Sequence, residues 1–174
     1  VEKQKEYVWW KYEILKNLVS KEPREITWIN QKRNLKEISW YFHTKSLKNF
    51  GIIHEIFYRN GVKKFPTDII PIFTDKMLAV WYMDDGSNNH GNITLSTHSF
   101  SLEEQKIIVD FLKNKYRINP TILKDRAQWK ISIGSFDYDK FISIVAPFIP
   151  KAMSYKIDNP RIDLPITSFG IRIF

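Results

Sequence analysis

Cysteine is absent from this 174-residue chain, which excludes disulfides and every cysteine-ligated metal site. No apolar run approaches the length that crosses a membrane, and the opening Val1-Glu2-Lys3-Gln4-Lys5 is not a secretory signal. The opening residue is not an initiator methionine either, so residues upstream are expected. The four histidines are scattered and make no metal-ligand pattern; His98 is at most a contact to a ligand surface. Acidic residues are too few to balance the basic ones: 19 Asp and Glu against 27 Lys and Arg leave a net charge of +8, which points to a polyanionic partner. What the chain does have is an ordinary apolar content of 43% and a high aromatic content of 15%, enough for one large domain or two small packed ones.

The most informative segment is Leu78-Ala79-Val80-Trp81-Tyr82-Met83-Asp84-Asp85-Gly86, an apolar helical run ending in two carboxylates and a glycine. Thr74 and Asp75 are N-cap residues by type, and Gly86 suits a left-handed helix-closing position. Asp84 and Asp85 then sit at the negative end of the helix dipole, at a cost of about 0.3–1 kcal/mol. A compensating cation is expected there, and a divalent ion is the obvious candidate. For so short a motif the plain alternative is a solvated Asp-Asp turn.

Around this segment the pattern predicts a helix over 4–19 and strands Arg24–Lys32 and Leu35–Thr44. A helix capped by Ser46 should run to Tyr58, followed by a loop from Asn60 to Pro66 and the helix to Asp85. One strand is expected over Asn92–His98, then a helix from Ser101 with Glu104 completing a capping box. A hairpin Thr121–Arg126 and Gln128–Gly134 precedes a last helix capped by Asp137. Trp9, Trp10, Phe57, Tyr58, Phe136 and Phe141 recur at helical spacing and are expected in the core. The series repeats. Ile14-Leu15-Lys16-Asn17 recurs as Phe111-Leu112-Lys113-Asn114, and each is followed by a hairpin, a helix and a basic turn (Lys63-Lys64, then Lys156). The opening of the first copy would lie before Val1. The tail Ile157–Phe174 has no evident role.

The string LAVWYMDDGS, the block Leu95-Ser96-Thr97-His98-Ser99-Phe100-Ser101 and the block Met153-Ser154-Tyr155-Lys156 together resemble the LAGLIDADG homing endonucleases, in particular the single-chain, two-repeat type. The resemblance runs from Tyr7-Val8-Trp9-Trp10 to Lys156 and departs in one respect: a single copy of the motif is present. It implies an α+β fold of two pseudo-symmetric αββαββα units forming a DNA-binding saddle. Residues 1–66 would be a first unit lacking its opening helix and strands, and 67–174 the second unit with its tail.

The activity implied is metal-dependent cleavage of both strands of a long DNA site. Carboxylate-held Mg²⁺ or Mn²⁺ activates water, neutralises phosphate charge and stabilises the leaving oxygen. The resemblance makes Asp85 the metal ligand and Asp84 a helper or a solvated group. It makes Lys156 the residue that holds or polarises water near the phosphates, with Lys63 or Lys64 as its counterpart. Ala79 and Gly86 would form the close seam between motif helices, with Trp81 and Tyr82 in the flanking core. The alternative is an RNA maturase, with intron RNA as partner, or an inactive nucleic-acid-binding relative. The complete protein is expected to be a monomer in an organelle or a microbial cytoplasm.

Two-stranded ribbons fit the major groove, where polar side chains reach base edges and basic ones meet phosphates. Alternation sets Gln128, Lys130 and Ser132 opposite Trp129, Ile131 and Ile133, and selects Asn92, Thr94, Ser96 and His98 on the earlier strand. Candidate double-stranded DNA contacts are these residues with Lys124 and Arg126, and Asn30, Lys32, Arg33 and Lys36 in the first hairpin, whose parity the sequence leaves open.

Overall fold

The structure is a computed structural model that describes residues 2–158, with side chains from residue 5 onward. Of the tail, only Ile157 and Asp158 fall within the described residues. The chain divides into two compact units, one formed by the chain up to Asp68 with Ile149–Tyr155, the other by Ile69–Phe148 with the chain from Lys156 on.

The first unit carries helix α1 (Glu2–Leu15), strands β1 (Arg24–Asn30) and β2 (Leu35–Tyr41), helix α2 (Lys48–Phe57) and the short strands β3 (Tyr58–Arg59) and β4 (Val62–Lys63). Helix α1 stops at Leu15, short of the expected boundary, because a 3₁₀ turn over Lys16–Leu18 delivers Val19 in extended conformation to bridge Thr44. Ser46 does not cap α2. The helix begins one residue later than expected, with Leu47 at the N-cap and no side-chain bond there. The expected loop at Asn60 is instead a tight hairpin, since Asn60 and Gly61 both take positive φ (51° and 73°) and let β3 pair with β4.

The second unit is a complete αββαββα series: α3 (Asp75–Asp85), β5 (Gly86–Asn89), β6 (Asn92–Leu95), α4 (Leu102–Tyr116), β7 (Thr121–Asp125), β8 (Gln128–Ile133) and α5 (Tyr138–Val145). Its four strands form one antiparallel sheet in the order β5-β6-β8-β7. Strand β5 has little strand propensity and no signal in the residue pattern, although the αββαββα series implied by the resemblance requires a strand there. It forms because His90 and Gly91, with φ of 52° and 82°, turn the chain back onto β6. Ile93, Leu95, Ile131 and Ile133 fill one face of the sheet and are fully buried with Ile108 and Leu112 of α4. Phe141 of α5, also fully buried, meets Tyr82 of α3 edge to face at 5.0 Å.

The Ser101–Glu104 capping box forms as expected. Strand β6 ends at Leu95, three residues early, because Thr97 turns inward. Its Oγ1 donates to Oε1 of buried Gln105 at 2.7 Å, while Gln105 Nε2 donates to the carbonyls of Thr97 and Trp129. Asp137 occupies the N-cap of α5 without capping it. Its Oδ2 accepts instead from the backbone and side-chain nitrogens of Asn119, which ties the entry of β7 to the start of α5. Two expected core aromatics are outside. Phe136 is 94% exposed in the turn before α5, and Tyr58 lies past the end of α2, where its ring stacks on His54.

Candidate functional site

Helix α3 is fixed from both ends. Thr74 Oγ1 accepts from Met77 N at its start, and Leu78, Ala79 and Tyr82 are fully buried along its length. The chain then surfaces, leaving Asp84 and Asp85 exposed at the C-terminal end. Gly86 follows, but not for the expected reason. Its φ of −94° and ψ of 158° are ordinary extended values, so the helix does not close in the left-handed region. Glycine is required by space: a Cβ there would lie 2.1 Å from Tyr82 Cδ2 and 2.5 Å from Tyr82 O.

The cation that answers the negative helix end is Lys156. Its Nζ donates to the carbonyls of Met83 and Gly86, each at 2.6 Å, and to that of Tyr82 at 3.3 Å. Three carbonyls match the three hydrogens of an ammonium. Lysine here supplies much of the compensation that the sequence suggested a metal would give. Burial pushes its pKa below the usual lysine range, while the charges of Asp84 and Asp85 pull it back up.

The segment carrying Lys156 is strapped down by groups that the sequence pattern did not single out. Tyr82 Oη donates to the Lys156 carbonyl at 2.6 Å, and Tyr138 Oη to the Ile157 carbonyl at 3.1 Å. Asn88 Nδ2 lies within bonding distance of the Lys156 and Asp158 carbonyls and of Tyr138 Oη, while its Oδ1 accepts from Gly91 N. Only the partners reveal these roles, since a lone Asn in a polar strand and a Tyr at a helix start carry no signal of their own.

The sheet of this unit presents a polar face opposite its buried one. Register places Ser87, Thr94, Ser132 and Thr121 in one row across all four strands, with Asn92 and Asn89 paired on the same side and Lys130 and Gln128 further along β8. Asn92, Thr94, Gln128 and Lys130 are therefore together, as alternation predicted. Ser96 and His98 lie beyond the end of β6. Ser96 N donates to Asp85 O, and His98 Nε2 comes within 3.2 Å of Asp125 Oδ2. Arg126 is exposed in the turn with φ of 57°. Lys124 does not share this face. It pairs with Trp129 across the hairpin, on the buried side, and its Nζ stands 5.8 Å from the Trp129 ring centre. The residue on the polar side is its neighbour Asp125, which carries no signal of its own in the sequence pattern.

The first hairpin settles its parity in the same way. Trp40 of β2 lies under Lys5 of α1, so its side of the ribbon is the covered one, and Lys36 is on that side. Lys36 is thus separated from Asn30, whose Nδ2 donates to Glu37 Oε1 at 2.8 Å on the open side. Arg24 is on that side too, over the ring of Tyr41, with Trp28 donating to Ser39 Oγ. Lys32 and Arg33 project from the turn, where their amides donate to Asn30 Oδ1. Lys63 is exposed on β4, and Lys64 follows it with its amide bonded to Phe57 O.

Asp84 and Asp85 suit a hard divalent cation, which prefers carboxylate oxygens and retains waters. The nearest carbonyls are engaged: Gly86 O by Lys156 and Asp85 O by Ser96 N. Among the described residues no group of three or more His, Cys, Asp or Glu is placed to hold a metal ion.

The model of the LAGLIDADG DNA endonuclease family matches residues 1–141. The chain belongs to that family. It is 32% identical over 120 residues to the cytochrome b mRNA maturase bI2 of Debaryomyces hansenii, covering 68% of this chain but 46% of that protein. It is 30% identical over 142 residues to the intron-encoded endonuclease ai4 of Dictyostelium discoideum, covering 78% of this chain and 88% of that protein. The solved homing endonuclease I-WcaI, bound to its DNA recognition sequence, superposes with a TM-score of 0.81 at 27% identity, over 88% of this chain and 71% of that one. This agrees with the α+β architecture expected from the sequence.

Proposed function

We propose that this LAGLIDADG protein is a site-specific DNA endonuclease that hydrolyses phosphodiester bonds with Mg²⁺ or Mn²⁺ and makes double-strand breaks in a long target. The observation that carries the reading is the exposed Asp84-Asp85 pair, presented at the end of a buried helix and framed by Lys156. Relatives named as intron-encoded endonucleases, and the likeness to a homing endonuclease bound to DNA, support it.

In this reading Asp85 holds the metal, and Asp84 assists or stays solvated. The metal, when bound, supplies charge neutralisation at the phosphate and an activated water. Lys156 fixes the carbonyls of Tyr82, Met83 and Gly86, the backbone on either side of the two carboxylates. It also offsets their charge beside an incoming phosphate. Lys63 or Lys64 would act as its counterpart in the first repeat. Asn92, Thr94, Gln128 and Lys130 on one unit, and Asn30, Lys32 and Arg33 on the other, would contact bases and phosphates. The site of action would be an organelle or a microbial cytoplasm.

The reading divides the chain at about residue 66 into a partial first repeat and a full second one. Its complement is an upstream helix and strand pair. Helix α2 buries none of its residues, and among the described residues β2 pairs along its length only with β1, which supports an opening still to be supplied. Incubating the full-length protein with Mg²⁺ and its cloned intron-insertion site should give linear product. No cleavage on a verified site would overturn the proposal.

A maturase acting on intron RNA is the second reading, favoured by the relatives named cytochrome b mRNA maturase bI2 in Debaryomyces hansenii and Saccharomyces cerevisiae. The residue before the glycine of an upstream motif discriminates: an acid there favours cleavage, and Asn, Lys or Gly favours binding alone.

A further inference from the structure

A carboxylate on the polar face of a basic protein's sheet is out of place if that face only meets phosphates. Asp125 stands there, level with Gln128 across the hairpin and near Lys130. Its Oδ2 accepts from Lys130 Nζ at 2.9 Å and lies 3.2 Å from His98 Nε2, two groups that reach it from different segments of the chain. These bonds, Lys130 first and His98 second, hold its pKa below the ordinary 3.8, so it is a carboxylate at any pH where the protein works. The cluster is only partly covered, with the three side chains 29–37% exposed. A group so exposed adds little to stability, so folding does not explain it.

Both contacts fall on Oδ2, which leaves Oδ1 as an acceptor that neither Lys130 nor His98 engages. Lys130 spends one of its three hydrogens on Asp125 and keeps two. The pair therefore offers an anionic acceptor next to a cationic donor, both held in place. Base edges in the major groove offer the mirror of this: an exocyclic amine on cytosine or adenine beside a keto oxygen or N7. A lone lysine would bind phosphate and acceptor edges without much choice. Tied to Asp125, it is neutralised towards phosphate and aimed.

Resting on the DNA-binding reading above, we propose that Asp125 is a specificity-determining residue. Its carboxylate accepts from the amine of cytosine or adenine, Lys130 donates to the neighbouring acceptor on the base pair, and His98 fixes the carboxylate's orientation. The cost of placing Asp125 near a phosphodiester with no amine to meet it is what rejects other base pairs.

The test is selection of binding sequences from a randomised double-stranded DNA library by the protein and by Asp125→Ala and Asp125→Asn, with thermal unfolding followed for each. Wild type should return a consensus. Asp125→Ala should lose preference at one or two adjacent base pairs and keep it elsewhere. It should also bind random DNA more tightly, with the dependence of log K on log salt steeper by about 0.9 as Lys130 is freed for a phosphate. Asp125→Asn, which keeps one acceptor and adds a donor, should shift the preference at those pairs. A consensus unchanged in both variants, or lost evenly at all positions, would overturn the assignment of Asp125 and leave the DNA-binding reading standing. A wild-type protein that selects no consensus would overturn that reading, and this inference with it.

Discussion

The two units are built from one repeated pattern, yet they bury it very differently. In the second, α5 packs on α3 through Phe141 and Tyr82, and β8 is paired on both edges, by β6 and β7. In the first, the corresponding helix α2 buries no residue, leaves Ile52 and Ile53 exposed, and follows a hairpin that gains no third strand among the described residues. The hydrophobic pattern of a helix states which face wants cover. Whether that face is covered depends on another element being there, and in the second unit that element is the motif helix α3.

The largest difference to test is catalytic. Asp85→Asn should reduce cleavage more than about a hundredfold, since even outer-shell changes at metal sites cost 10–100-fold. Most DNA affinity should remain, because binding arises on the ribbons. Cleavage rate measured beside gel-shift affinity decides it: a variant that binds weakly and cuts in proportion to its occupancy would make Asp85 structural. Asp84→Asn should do much less.

Next comes packing. Phe141→Ala in α5 should cost about 3–5 kcal/mol, and Ile53→Ala in α2 less than about 0.5 kcal/mol, by denaturant unfolding. Equal losses would mean that the two helices are equally anchored. Glycines sharpen the same contrast. Gly86→Ala drives a methyl into Tyr82 and should destabilise by about 1–3 kcal/mol, whereas Gly51→Ala, with nothing near its Cβ, should stabilise α2 by about 0.5–1 kcal/mol.

The smaller effects concern the strap over α3. Tyr82→Phe removes the bond to the Lys156 carbonyl and should cost about 1 kcal/mol. Lys156 has its pKa lowered by folding, so the unfolded chain holds that proton more tightly. The resulting cost is fully present below the folded-state pKa and fades as pH rises towards the ordinary 10.5. Unfolding measured at several alkaline pH values should show Lys156→Met losing that upward contribution to the slope.

Much of this was legible in the chain because the signals were local. Thr74, the capping box at Ser101 and the alternation in β8 each act within a few residues, and each formed where the pattern put it. The hairpins at Asn60-Gly61 and His90-Gly91 leave little trace in the residue pattern, since the flanking strands are too short and polar to alternate visibly. Lys124 shows what the pattern leaves open: one step of alternation from Asp125 puts it on the other face of the sheet from Lys130.

Composition, repeat and motif order determined by themselves the family, the α+β class and the position of the two carboxylates at a helix end, because these depend on residue type and short-range spacing. Tertiary structure alone decided what surrounds them. Lys156 is 70 residues beyond Gly86, and Asp125 meets His98 across 27 residues. No local preference encodes either contact. They exist because folding brings distant segments to one helix end and one sheet face, where burial and charge then choose the partners.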